Sequence, residues 1–131
     1  MDELPIQSGD DVVRVRQRVR VVAAESGLSL VDQTKVVTAA SELARNALVY
    51  GGGGMARIEA VTSAGGRAGV RIAFSDDGPG IPDVDLALTD GWTTGGGLGL
   101  GLSGARRLVD EFELKSAPGS GTSVVVVKWS R

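Results

Sequence analysis

Three groups of residues in this sequence have types and spacing suited to chemistry on a phosphorylated ligand. The first is Glu42 with Asn46, four apart, so that on a helix both project from one face. An asparagine oxygen is a hard ligand suited to Mg²⁺, which keeps several waters and binds substrate phosphates. A carboxylate beside it can orient or deprotonate an attacking hydroxyl or water. In isolation such a pair is more often plain polar surface. The second group is Asp76-Asp77-Gly78-Pro79-Gly80, a turn with an acidic start. A carboxylate at a strand end can accept from the exocyclic amine of adenine, and glycines beside it let a flat base approach the backbone. The third is a glycine ladder: Gly95, Gly96, Gly97, Gly99 and Gly101. Glycine costs roughly 0.5–1 kcal/mol against alanine inside a regular element, so a run of them implies backbone that approaches something closely or moves. Bare N–H groups leading into a helix form an anion site, and phosphate is the usual occupant.

Other readings of the ladder are weaker. GLGLSG, residues 99–104, is a literal G-x-G-x-x-G. As a dinucleotide fingerprint it needs a strand before it and an acid about 20 residues after it. Here Trp92-Thr93-Thr94-Gly95 precedes it, and no acid follows Glu113. No G-x-x-x-x-G-K-[ST] occurs, so a P-loop is excluded. A flexible linker is the bland alternative, but both sides of the ladder belong to one small domain. The favoured reading is a nucleotide phosphate loop able to close as a lid.

The elements that must position these residues follow from caps and periodicity. A short edge strand is expected over residues 4–7, with Pro5 tolerable at an edge. Ser8 with Asp11 matches a capping pattern. The next stretch alternates from Val13 to Val21 like a strand, yet Val12, Val15, Val19, Val22 and Ala23 share one helical face. With a cap upstream and Gly27 downstream, the helix is the choice. Its arginines, Arg14, Arg16, Arg18 and Arg20, then form a solvated face or, on a sharper reading, a dock for an acidic partner. Ser29 caps a second helix ending near residue 49, with Val36, Val37, Ala40, Leu43, Ala44 and Ala47 as its apolar stripe and the glycines at 51–54 as its stop. Residues 55–62 and 69–74 read as a hairpin that runs straight into Asp76. After the ladder, Leu102, Ala105, Leu108, Val109 and Phe112 have helical spacing, and residues 113–117 and 122–129 make a second strand pair. The expected fold class is α+β: a two-layer α/β sandwich with helices on one face of a mixed, mainly antiparallel sheet.

Bulk properties bound the function. A chain of 131 residues is expected to form one domain, residues 1–131, with a single core. A net charge of −2 does not point to nucleic acid. The chain has no cysteine, which removes disulfide and thiolate-metal frameworks. It also has no histidine, so no mechanism can use a catalytic or phosphoacceptor histidine of its own. No signal pattern opens the sequence and no apolar run approaches membrane-spanning length, so a cytoplasmic, soluble protein with no membrane partner is expected.

Taken together and in order, the motifs resemble those of the GHKL ATPases and kinases, whose ATP-binding (Bergerat) fold is named after gyrase, Hsp90, histidine kinases and MutL. SELARNA (residues 41–47) resembles the N box, DDGPGIP (76–82) the G1 box, GGLGLGL (96–102) the G2 box and GSGT (119–122) the last nucleotide-contacting box. The resemblance covers essentially the whole chain. DGWTTGGGLG, RRLVDEF and KWSR look most like the small switch serine/threonine kinases of bacterial stressosome or partner-switching modules.

The resemblance implies ATP and Mg²⁺ as cofactors. It makes Glu42 the general base and Asn46 the Mg²⁺ ligand. Asp76 would receive the adenine amino group, with Gly78, Gly80 and Ile81 shaping the pocket. Gly96, Gly97, Leu98, Gly99, Leu100, Gly101 and Leu102 would supply the phosphate loop, and Thr122 would support the base through water. Arg45 would reach phosphate or pair with Glu42. The implied partners are STAS-domain substrates of the RsbS or RsbR kind and a PP2C-type, RsbU-like phosphatase. There is room for a weak homodimer, since related anti-sigma kinases dimerise. Three alternatives stay open: an anti-sigma-factor kinase that sequesters a sigma factor, a detached histidine-kinase catalytic domain acting in trans, and a non-catalytic ATP-gated binding module.

Overall fold

The structure, a computed structural model, describes residues 2–80 and 100–131. Strand β1 (Asp2–Ile6) opens the chain, followed by helices α1 (Gly9–Glu25) and α2 (Leu30–Val49). The hairpin β2 (Gly54–Thr62) and β3 (Ala68–Asp76) comes next, then α3 (Leu100–Leu108) and a second hairpin, β4 (Glu111–Ser116) and β5 (Thr122–Trp129).

Both long helices start where a serine satisfies the first free amides. The Ser8 hydroxyl accepts from the Asp11 N–H and the Ser29 hydroxyl from the Asp32 N–H, at 3.3 and 3.1 Å. The segment with strand-like alternation is helical. Val15, Val19 and Ala23 are fully buried, and the arginines between them point to solvent. Arg14 pairs with Asp11 and Arg18 with Asp2, while Arg16 and Arg20 make no ion pair among the described residues.

The five strands pair in the order β1-β2-β3-β5-β4, and every ladder among the described residues is antiparallel. β5, last in sequence, therefore lies inside the sheet. Register rows build the core. Ala56, Phe74, Val124 and Leu114 stand opposite one another across four strands, as do Ile58, Ile72, Val126 and Phe112. These rows meet the buried stripe of α2 (Val36, Val37, Ala40, Leu43, Ala44, Ala47) and that of α1. The result is the expected two-layer α+β sandwich.

The strand boundaries of β1, β2, β3 and β4 shift by one or two residues from the sequence reading, and the largest difference is at the end of α3. The helical spacing ran to Phe112, but α3 stops at Leu108 and Phe112 belongs to β4. The Asp110 N–H donates to the Val127 carbonyl at 2.9 Å, and the Asp110 carboxylate accepts from the Trp129 N–H at 2.8 Å. Sheet pairing thus captures the chain just beyond the helix. Phe112 still packs on the core, now from a strand.

A charged cluster closes the end of the sheet where β5 terminates. Lys128 is 3% exposed, and its Nζ lies 3.7 Å from Asp32 and 3.4 Å from Asp110. Arg131 reaches the same two carboxylates at 3.5 and 3.1 Å. Burial alone would raise the Asp110 carboxyl, but the Trp129 amide, Lys128 and Arg131 outweigh it and hold the group below its ordinary value. Among the described residues no helix is long and apolar enough to cross a membrane.

Candidate active site

A cavity of ≈ 100 Å³ lies between α2, the ends of β3 and β5, and α3. Leu43 and Ala47 of α2, Phe74 of β3, Leu102 of α3 and Val124 of β5 give it apolar walls. Asn46, Asp76 and Thr122 are its polar groups, and Tyr50, Gly51, Pro79 and Gly80 complete the lining. An apolar slot with a few convergent polar groups is the usual form of a small-molecule site.

Asp76 is the last residue of β3, held in register between Gly54 of β2 and Thr122 of β5. Its Oδ1 accepts from the Gly78 N–H at 2.9 Å, and the Thr122 amide donates to the same carboxylate. Burial pushes the carboxyl above its ordinary value. The two amides pull the other way, and the neighbouring Asp77 charge adds to the rise.

The turn after Asp76 must pass close to other backbone. A Cβ on Gly78 would stand 2.6 Å from the Gly51 Cα, and one on Gly80, at φ +79°, would strike the Ala117 carbonyl. The Gly119 N–H ties this turn to the next hairpin by donating to the Pro79 carbonyl at 2.7 Å. Gly121, at φ +72°, lies flush against the Asp76 carbonyl, where no side chain fits.

Asn46 carries the clearest sign of an absent ligand. Its Nδ2 is buried without a hydrogen-bond partner among the described residues. Leaving such a group unpaired costs roughly 1–3 kcal/mol, which a bound polar ligand would recover. A half-turn about the terminal torsion exchanges the amide nitrogen and oxygen, so the same side chain can meet a metal or a water. Among the described residues no cluster of three or more His, Cys, Asp or Glu could hold a metal. A site with one protein oxygen suits Mg²⁺, which takes its other ligands from phosphates and water.

Glu42 and Arg45 stand outside the cavity lining. Glu42 lies one turn before Asn46 on α2, half-buried, with its carboxylate 3.9 Å from the exposed Arg45 guanidinium. Leu100 and Gly101 begin α3, whose first turn carries no acidic residue, so its free amides suit an anion. Ile81, Gly96, Gly97, Leu98 and Gly99 lie outside the described residues.

The sequence reading missed several lining residues. Gly51 is read from the sequence only as part of a helix stop and Tyr50 is given no role, although an aromatic beside four glycines is a signal. Gly121, which packs against the Asp76 carbonyl outside the lining, sat within GSGT without a role of its own. Phe74 and Val124 follow simple strand alternation, and nothing in their types marks them as more than core.

With this geometry, the chain's similarity to known proteins has a physical content. It is 49% identical over 121 residues to serine/threonine-protein kinase RsbT of Bacillus subtilis, a match covering 92% of this chain and 90% of that protein. It is 31% identical over 120 residues to an anti-sigma F factor of Clostridium novyi, covering 85% and 82%. A structure of the RsbU and RsbW domains of a Mycobacterium tuberculosis protein shares the fold with a TM-score of 0.64 at 23% identity, covering 100% of this chain and 33% of that one. The histidine kinase domain of a blue-light-activated histidine kinase from Erythrobacter litoralis does so with a TM-score of 0.56 at 20% identity, covering 95% and 64%. Residues 31–130, which contain every residue of the cavity, match the family of histidine kinase-, DNA gyrase B- and HSP90-like ATPases, and the chain belongs to that family.

Proposed function

We propose that this protein is an ATP-dependent serine/threonine kinase of a bacterial partner switch, acting in the cytoplasm on STAS-domain proteins. The carrying observation is the cavity that joins a half-buried carboxylate, Asp76, to the Asn46 amide, whose Nδ2 is buried without a partner among the described residues, across apolar walls. In this reading adenine lies between Phe74, Leu102 and Val124 with its amino group on Asp76. Thr122 supports the same edge of the base, and Gly78 and Gly80 let it approach the backbone. The phosphates run past Asn46 toward the amides that open α3.

Asn46 would hold Mg²⁺, which supplies charge neutralisation on the phosphates. Glu42, one turn from Asn46, orients the acceptor hydroxyl and takes its proton, and Arg45 holds that carboxylate in place until a substrate arrives. Catalysis of this kind is mainly positioning and electrostatics. A phosphate adds roughly −1.5 to −2 charges to the partner at pH 7, enough to dissolve the interface that delivered it. The kinase so released would then bind and activate a PP2C-type phosphatase. The 31% identity to an anti-sigma F factor motivates a second reading, in which the same nucleotide site controls the holding of a sigma factor.

Calorimetry with ATP, with and without Mg²⁺, tests the site on the wild type, Asp76→Asn and Glu42→Ala. The expected pattern is binding by the wild type and by Glu42→Ala, loss of at least tenfold in affinity in Asp76→Asn, and no phosphate transfer to a STAS protein by Glu42→Ala. A wild type that binds no nucleotide removes the kinase reading. ATP binding without transfer to any STAS protein, joined to capture of a sigma factor, favours the second.

A further inference from the structure

The glycines that follow α2 do not share one task. Gly52 and Gly53, at φ +72° and +108°, take the left-handed conformations that turn the chain out of the helix. Gly51 has no positive φ, so conformation does not call for glycine there. Its amide reaches back to the Asn46 carbonyl at 3.3 Å and the Gly53 amide to the Ala47 carbonyl at 2.9 Å, which holds this corner against the end of α2. What requires glycine at 51 is space. A Cβ there would fall on the Asp76 carboxyl carbon, 2.6 Å from the Asp76 Cβ and 2.7 Å from the Ala47 carbonyl oxygen. Two more glycines border the same side chain. A Cβ on Gly54 would stand 3.2 Å from the Asp76 Cβ, and one on Gly78 would stand 3.1 Å from its Oδ1. The carboxylate thus lies in a slot bordered by bare backbone, with the Gly78 and Thr122 amides donating to it.

We propose that Gly51 is a positioning residue for base recognition: by leaving its side-chain position empty it lets the Asp76 carboxylate stand between the end of α2 and the cavity, where the amino group of the base meets it. The inference rests on the adenine-nucleotide reading of the cavity and deepens it. A methyl group at 51 and the Asp76 carboxyl carbon cannot share one place. Backbone hydrogen bonds fix the helix end behind Gly51, so the Asp76 side chain is the part that gives. It turns out of its slot and away from the amides that hold it. The amino group of the base then loses its acceptor, while Leu43, Phe74, Leu102 and Val124 still wall the cavity.

The test compares the affinities of ATP and purine riboside triphosphate, which lacks only the 6-amino group, for the wild type, Gly51→Ala, Gly52→Ala and Asp76→Gly, with thermal melting of each protein. The expected wild-type preference for ATP is about tenfold or more, the worth of one hydrogen bond to a charged group, and it is lost in Asp76→Gly. It is expected to fall at least about fivefold in Gly51→Ala and to survive in Gly52→Ala, where a Cβ would meet nothing within 4 Å. A merely structural role at the helix end would weaken both nucleotides together and leave their ratio unmoved. A preference retained in Gly51→Ala overturns the inference alone, as does one lost equally in Gly52→Ala. A wild type that binds both nucleotides equally, or neither, overturns the adenine reading and this inference with it. Should Gly51→Ala not fold, the same change is made in Asp76→Gly, which has no carboxyl to displace. Little further loss of melting temperature there supports the inference, and unfolding of that variant too puts the collision at the Ala47 carbonyl and overturns it.

Discussion

At the scale of single residues, the site turns on two side chains whose environments leave something unfinished. Asn46 has a buried amide nitrogen without a partner, and Asp76 has a carboxylate raised by burial although two amides hold it. Both positions were legible in the sequence, because an acid at a strand end and an Asn spaced from a Glu are local features. Their surroundings were not legible from local pattern: Leu102 and Thr122 came only with the family resemblance, and Tyr50 reaches the same cavity through tertiary contacts. The raised Asp76 carboxyl carries a pH consequence. A 6-amino group needs the ionised form as acceptor, so ATP affinity is expected to fall as pH drops through the raised value. In that window binding is expected to release a proton, visible as a dependence of calorimetric heat on buffer. The sign for the ligand-free fold is the reverse: with the folded value above the unfolded one, Asp76 costs stability as pH rises from the ordinary carboxylate range through its raised value. Asp76→Asn is expected to flatten both dependences, and a pH-independent wild type would count against this role.

At the scale of elements, the pocket depends on two glycine turns pressed together. The turn after β3 and the β4–β5 connection meet at Gly80 and Gly121, where backbone lies against backbone. Gly121 and Gly119 offer a controlled contrast, because both have positive φ but a Cβ on Gly119 would meet nothing within 4 Å. Gly119→Ala is expected to cost about 1 kcal/mol from backbone strain alone. Gly121→Ala adds a clash with the Asp76 carbonyl and is expected to cost more than about 2 kcal/mol and to weaken ATP binding. Denaturant titration of the pair checks this, and equal losses would remove the close-packing argument. The helix starts were readable at this scale because Ser8 and Ser29 act on amides three residues away. The end of α3 was not, since spacing that suits a helix gave way to pairing of Asp110 with β5.

At the scale of the molecule, both hairpins could be read from the sequence, but the sheet order could not. The β3–β5 ladder joins Asp76 to Thr122 and Gly69 to Trp129, and no local pattern records such a pairing. The charged cluster of Lys128, Asp32, Asp110 and Arg131 locks that arrangement, tying the start of α2 and the α3–β4 turn to the end of β5. Lys128→Met leaves Asp32 and Asp110 with the more exposed Arg131 as their one cation among the described residues, and is expected to cost about 3 kcal/mol of stability. A loss below about 1 kcal/mol in chemical denaturation would show that Arg131 suffices. With its folded value below the unfolded one, Asp110 stabilises the chain above the ordinary carboxylate range, and that part is lost as pH falls through the lowered value.

The interior place of β5 also sets when during synthesis the protein can begin to work. A nascent chain that has left the ribosome only as far as β4 holds Asn46 and Asp76 but lacks Thr122 and Val124, and the edge of β3 stands open. Until β5 inserts, that edge is a template for pairing with other chains. Nucleotide capture by this molecule therefore waits until β5 has inserted. A bound base would act as a clamp across the newly closed seam between β3 and β5.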